Sequence, residues 1–180
     1  ADLVAAAKAR PGELNYASSG NGTVAHLAME LFQREAGIRL THIPYKGASQ
    51  GLTDVISGQV HVYASSVPTL LPQVKGGKLR ALAVTSARRA ADLSQTPTVA
   101  ESGYPGFNAL TWFGLLGPAR LPAAVVTAVN AELGKALALP ALRKKLEEQG
   151  VEITPGTPAE FGKLIAADMA RWGRIVKETG

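Results

Sequence analysis

Six residues after a short apolar run read Ser18-Ser19-Gly20-Asn21-Gly22-Thr23, and an amphipathic run, VAHLAMELF, follows at once. A helix that starts here leaves its first N–H groups without intrahelical partners and carries about half a unit of positive charge at that end. Glycines let an anion approach such a backbone closely, and the hydroxyls of Ser18, Ser19 and Thr23 can donate to it. The loop is built like a seat for a carboxylate or phosphate. The same residues also make a tight turn with an N-cap, so both readings stand. Neither a Walker A loop nor a GxGxxG fingerprint is present.

Two further stretches carry the same kind of chemistry. In HIPYKG, His42–Gly47, Tyr45 and Lys46 could face a ligand; the alternative is a turn with a solvated lysine. In YASSVP, Tyr63–Pro68, Ser65 and Ser66 either cap the next helix or touch the ligand. Catalysis finds no support. Ser18, Ser19 and His26 are close in sequence, but no GxSxG elbow exists. His26 sits in the first turn of a helix as a structural group or one that backs up the ligand contacts, a supporting place that Lys46 also shares. His26, His42 and His61 lack metal-ligand spacing, and Asp54 and Glu101 are isolated carboxylates. The chain therefore offers no catalytic set, no metal set and no cofactor motif. Trp112, Phe113 and Trp172 read as packing residues, although Trp112 or Phe113 could border a ligand.

The elements that position these residues alternate. Residues 2–10 read as a helix stopped by Pro11-Gly12, and 14–18 as a strand. A helix follows from Thr23 to Gly37, with Val24, Leu27, Ala28 and Leu31 on one face. Residues 38–44 read as a strand, 48–57 as a helix, 60–64 as a strand, 67–75 as a helix and 79–85 as a fourth strand. Such alternation predicts an α/β fold, a mostly parallel sheet with helices on both faces. Ligands of such sheets bind outside the carboxyl ends of the strands, which is where all three polar stretches fall. Beyond residue 86 the rhythm changes to a connector with Pro97 and Pro105, an extended aromatic-bearing segment 108–117, and helices over 121–138, 140–149 and 157–178. A short strand, 151–154, is expected between the last two. These helices have too few strands to cover, so strands are missing or supplied by another chain.

Composition narrows the class. The 180 residues are 46% hydrophobic and 18% charged, with a net charge of +5. That is a globular composition. The basic residues are scattered and not interleaved with aromatics, which argues against nucleic acid and is compatible with anionic ligands. Disulfides and thiol chemistry are excluded by the lack of cysteine. No apolar run approaches the ~18 residues of a membrane span, so the chain is not expected to be membrane-embedded. Ala1 opens a helix with no initiator Met, so the chain reads as processed or trimmed.

The blocks LNYASSGNGTVAHLAMELFQREAGI, THIPYKGASQGLTDVISGQV, LPQVKGGKLRALAVTSARR, TPTVAESGYPGF, TWFGLLGPA, TPAEFGKLI and RWGRIVKETG follow one another in order. Together they closely resemble the receptors of tripartite tricarboxylate transporters, the Bug family of periplasmic solute-binding proteins. The resemblance implies a type II periplasmic-binding-protein fold, two α/β lobes around a cleft that closes on a small carboxylate. It implies a periplasmic location and delivery of the ligand to transporter membrane subunits. It assigns Ser18, Ser19, Gly20, Asn21, Gly22 and Thr23 to one side of the cleft, with Tyr45, Ser65 and Ser66 beside them. Many relatives carry Asp or Asn where Ala64-Ser65 stands, so an amine-bearing ligand is less expected. Residues 1–104 match a complete second lobe, and 105–180 the hinge strand and C-terminal helices of an incomplete first lobe. An exposed apolar face on those helices would drive formation of a homo-oligomer. The rival reading is a truncated homologue that binds no ligand and acts as a self-associating or scaffold module. An effector domain of a transcription regulator would need a helix-turn-helix segment, which the sequence lacks, and an anion-handling enzyme would rest on the glycine loop alone.

Overall fold

The computed structural model describes residues 2–179, which divide between Thr111 and Trp112 into two compact units. In the first, α1 (Asp2–Ala9) leads into β1 (Asn15–Ser18), α2 (Val24–Ala36), β2 (Thr41–Pro44), α3 (Ala48–Ile56), β3 (Val62–Tyr63) and α4 (Val67–Lys75). The second unit holds α5 (Ala123–Ala138), α6 (Pro140–Glu148) and α7 (Pro158–Thr179).

The three strands form one parallel sheet in the order β2-β1-β3. The central strand is β1. It pairs Ser18 with Pro44 on one side and Ala17 with Tyr63 on the other. Because the chain steps to one side of β1 and then to the other, right-handed crossovers put α2 and α3 on opposite faces of the sheet. The expected parallel α/β order is therefore present.

The core of this unit lies between α1, α2 and the sheet. Ala7, Leu14, Tyr16, Met29 and Leu40 are buried together, with Leu3, Phe32, Ile38 and Val62 packed around them. The buried face of α2 comprises Leu27, Ala28, Met29, Gln33 and Ala36. Gly37, in the left-handed region at φ 60°, closes that helix. Ile38 N–H then returns to Gln33 O at 3.0 Å, and this closing bond turns Ile38 into the core. The connector that follows α4 packs back on α2: Phe32 meets Tyr104 and Phe107 edge-on, with ring centroids 5.4 and 6.4 Å apart.

Two expected strands are absent. Residues 79–85 form no strand; their one ladder contact is a parallel bridge from Val84 to Thr98. The segment LRALAV is apolar enough for a central strand, but Leu82 and Ala83 face solvent. Its partner contains Pro97, which has no N–H for a ladder. Val84 N–H donates to Pro97 O and Val99 N–H to Val84 O, and the pairing stops there. Residues 151–154 are likewise irregular. Apolar character specifies burial, not a hydrogen-bonding neighbour.

In the second unit the helices match the expected spans to within two residues at each end. Thr157 and Glu160 form the capping box read from the sequence, with Thr157 N–H donating to Glu160 Oε2 at 2.8 Å and Glu160 N–H to Thr157 Oγ1 at 3.2 Å. Trp112 is anchored by its indole N–H to Asp168 Oδ2 at 2.7 Å and meets Phe161 edge-on. This unit leaves Phe113, Leu115, Leu116, Val125, Val129 and Met169 exposed. Among the described residues no single helix is long and apolar enough to cross a membrane.

Met29 is the test of where the first unit's stability resides. It is 8% exposed in the main cluster. Met29→Ala is expected to lower unfolding free energy by about 2–4 kcal/mol through lost burial and an unfilled cavity. Urea denaturation followed by circular dichroism measures it, and a shift in midpoint at unchanged slope is the expected form.

Candidate functional site

The order β2-β1-β3 creates a topological switch point at the carboxyl end of β1, where the crossovers through α2 and α3 part to opposite faces. Backbone bonds gather the strand ends there. Tyr45 N–H donates to Ser18 O at 3.1 Å and Ala64 N–H to Ala17 O at 3.2 Å. The sheet thus brings Ser18–Thr23, Tyr45–Lys46 and Ser65–Ser66 to one edge.

Within the first loop the side chains divide into those that hold it and those that are free. Thr23 is the N-cap of α2: its Oγ1 accepts from His26 N–H at 3.4 Å and donates to Gly20 O at 2.8 Å. Ser18 is completely buried, with its Oγ 2.7 Å from His42 Nε2 and accepting from Gly20 N–H at 3.2 Å. Its hydroxyl is therefore committed to the loop's own shape. Gly20 has φ +135°, and a Cβ there would stand 3.3 Å from Tyr45 O. At that φ any side chain is strained, and its Cβ would also crowd the neighbouring turn. Gly22 adopts φ +74° with open space where a Cβ would be, so its requirement is conformational rather than steric. Ser19 and Gly20 are half-buried, while Asn21 and Gly22 are exposed. The N–H groups of Ser19, Asn21, Val24 and Ala25 meet no protein acceptor among the described residues. These donors, at the helix start, can take an anion.

The other two stretches contribute differently. Tyr45 is turned onto α3, where its hydroxyl donates to Asp54 Oδ2 at 2.7 Å. That hydrogen bond pushes the phenol pKa up, with burial and the Asp54 charge adding to it. Lys46 is exposed and has no ion partner among the described residues. Ser66 starts α4 with its Oγ 2.8 Å from Thr69 Oγ1, while Ser65, half-buried, makes no side-chain hydrogen bond.

Beneath the loop lies a polar network that the sequence did not single out. Tyr16, fully buried, donates to Glu30 Oε1 at 2.6 Å. Gln33 Nε2 donates to the same oxygen at 3.0 Å, and Gln33 Oε1 accepts from Leu40 N–H at 2.5 Å. The ring of His42 stacks between Tyr16 and His26, with centroids 4.7 and 4.1 Å away. Burial and then the adjacent His26 hold the His42 imidazole below its ordinary value, against the pull of Glu30. Burial and Glu30 push the Tyr16 phenol up. The available signal was His42 itself, because a histidine inside a parallel strand needs a partner. No group of three or more metal-ligating side chains occurs among the described residues.

Comparison with known proteins places this arrangement. The family model described as the tripartite tricarboxylate transporter family receptor matches residues 1–180. The chain is 36% identical to protein BugT of Bordetella pertussis, over 99% of this chain and 55% of that one. Among solved structures, one from R. palustris with adipate superposes with a TM-score of 0.91 at 37% identity, covering 99% of this chain and 60% of the other. MatC from Rhodopseudomonas palustris with bound malate gives 0.85 at 25% identity, covering 97% and 60%. The chain spans about half the length of most curated relatives that it matches. The family is one of solute-binding receptors rather than enzymes, and its solved members include periplasmic binding proteins. On the sequence match along the whole chain and the shared parallel α/β fold, the chain belongs to the tripartite tricarboxylate transporter receptor family.

Proposed function

We propose that this chain is a receptor module for a small carboxylate, working in the periplasm and delivering its ligand to the membrane subunits of a tripartite transporter. The observation that carries the reading is the loop Ser18–Thr23: a sheet switch point, a helix start and free N–H groups meet at one place. Solved relatives with adipate and malate support a carboxylate as the ligand class. One carboxylate would sit against the N–H groups of Ser19, Asn21, Val24 and Ala25, with the Ser19 hydroxyl and bridging water completing its shell. Gly20, Gly22, Thr23 and Ser18 hold the loop open for it. Ser65, with its unengaged hydroxyl, is a contact from the β3 side, and Ser66 and Tyr45 shape the edge around it. Residues 1–104 correspond to one lobe of the receptor and 105–180 to the hinge and return helices of the other. The exposed apolar residues of the second unit favour a second activity of the same chain, self-association into a homo-oligomer.

Three measurements test this. Thermal unfolding in the presence of adipate, malate, a monocarboxylate, sulfate and phosphate is expected to show saturable stabilisation by at least one di- or monocarboxylate, by about 2–3 kcal/mol at a hundredfold excess over Kd. No stabilisation by any anion would sink the receptor reading and leave self-association. Gly22→Val forces a β-branched residue into the left-handed region and is expected to weaken carboxylate binding by about tenfold or more, ~1.4 kcal/mol, with the helices intact by circular dichroism. Light scattering is expected to show a mass above 18.7 kDa that rises with concentration. A constant monomer mass removes the self-association reading and leaves the receptor reading in place.

A further inference from the structure

We propose that the stacked pair His26–His42 is a proton-sensitive latch on the glycine loop: neutral His26 holds the Gly22 N–H, and protonated His26 releases it to a bound anion. The inference rests on the receptor reading above for its ligand and on the side-chain network for its mechanism.

Gly22 N–H donates to His26 Nδ1 at 3.1 Å. A ring nitrogen that accepts carries no proton, so the imidazole proton must be on Nε2, the nitrogen 3.8 Å from Glu30 Oε1. A second proton, placed on Nδ1, turns the acceptor into a donor and sets two N–H groups against each other. The loop does not come apart when that bond opens. Thr23 Oγ1 to Gly20 O, Gly20 N–H to Ser18 Oγ and Tyr45 N–H to Ser18 O all persist without His26. What is freed is one backbone N–H, beside a new positive charge, at a helix start that already favours anions.

Three groups face the pair. Glu30 faces His26 from the next turn of α2, with its Oε1 shared by Tyr16 and Gln33. From β2, His42 stacks on it at 4.1 Å, and Tyr16 of β1 stacks on the far side of His42. Glu30 supplies a countercharge for the imidazolium of His26. A proton on His42 as well would put like charges in ring contact, and its burial opposes charging further. The latch places that proton on His26, whose Nε2 lies 3.8 Å from Glu30 Oε1, while His42 fixes the ring's plane and bonds Ser18. Anion binding should then take up a proton, and affinity should rise as pH falls.

The test titrates the 180-residue chain with adipate by calorimetry between about pH 8 and about pH 6, in two buffers of different ionisation enthalpy. Expected are net proton uptake and an affinity that strengthens by up to about tenfold per pH unit. His26→Gln keeps an acceptor for Gly22 N–H but cannot take the proton. It is expected to flatten the profile to whatever the ligand's own carboxyls contribute. Equal profiles in the two proteins would overturn the latch. Amide NMR of the ligand-free chain supplies the second readout: the Gly22 resonance should move with the His26 ring signals as pH falls and stand still in His26→Gln. A Gly22 amide that ignores pH overturns the latch even where adipate binds. A Gly22 amide that follows His26 while no anion binds upholds the latch and counts against the receptor reading instead.

Discussion

Everything at the candidate site depends on β1 being paired in parallel on both sides. A parallel strand flanked by two others delivers all three carboxyl ends to the same edge, and the register Ser18 to Pro44 and Ala17 to Tyr63 fixes how far each loop protrudes. A slip by one residue would turn Tyr16 and Ser18 to the opposite face and take the polar network with them. The strand is short, four residues, and β3 contributes two. Its hold on register therefore comes from what its side chains meet: Tyr16 in the α1–α2 core and Ser18 against His42.

That choice carries an energetic cost which the network offsets. Burying a hydroxyl, a phenol, an amide and part of a carboxylate costs several kcal/mol when they lack partners and about nothing when they are fully bonded. Here each has one. Glu30 accepts from Tyr16 and Gln33, Gln33 returns its carbonyl to Leu40 N–H, and Ser18 serves His42 and Gly20. The consequence is specificity more than net stability. An alternative packing would have to re-partner all of these groups at once. On the receptor reading, a loop held this way would spare a bound anion the cost of ordering the backbone.

How much of this was legible follows from what kind of signal each feature leaves. Strand-helix alternation, the cap at Thr23, the stop at Gly37 and the capping box at Thr157 are local, and they stand in the structure where local rules put them. The cluster of small polar residues in the first loop is local too. The partnership of His42 with Ser18, twenty-four positions away, is not. It exists only once β1 and β2 are side by side. Tyr45 read as a ligand-facing aromatic because of its place after a strand, whereas its hydroxyl is tied to Asp54 one helix later. Residues 79–85 show the same limit from the other direction. Their apolar run states a preference for burial, and the pairing partner that would make a strand of it is cut short by Pro97.

The polarity of the loop set also constrains what the ligand must be. The three strand ends supply N–H and hydroxyl donors and one exposed lysine in Lys46, while Asp54 on α3 accepts the Tyr45 hydroxyl. Under the receptor reading, a site so composed would recognise an anion mainly through direction. Hydrogen bonds from a fixed backbone discriminate by the position of the acceptor oxygens, and a planar carboxylate suits two converging N–H groups. It gives little hold on an apolar or cationic far end. Under the same reading, the rest of a ligand would be read by side chains beyond these three loops, and selectivity among carboxylates of different length would lie there rather than in the seat itself.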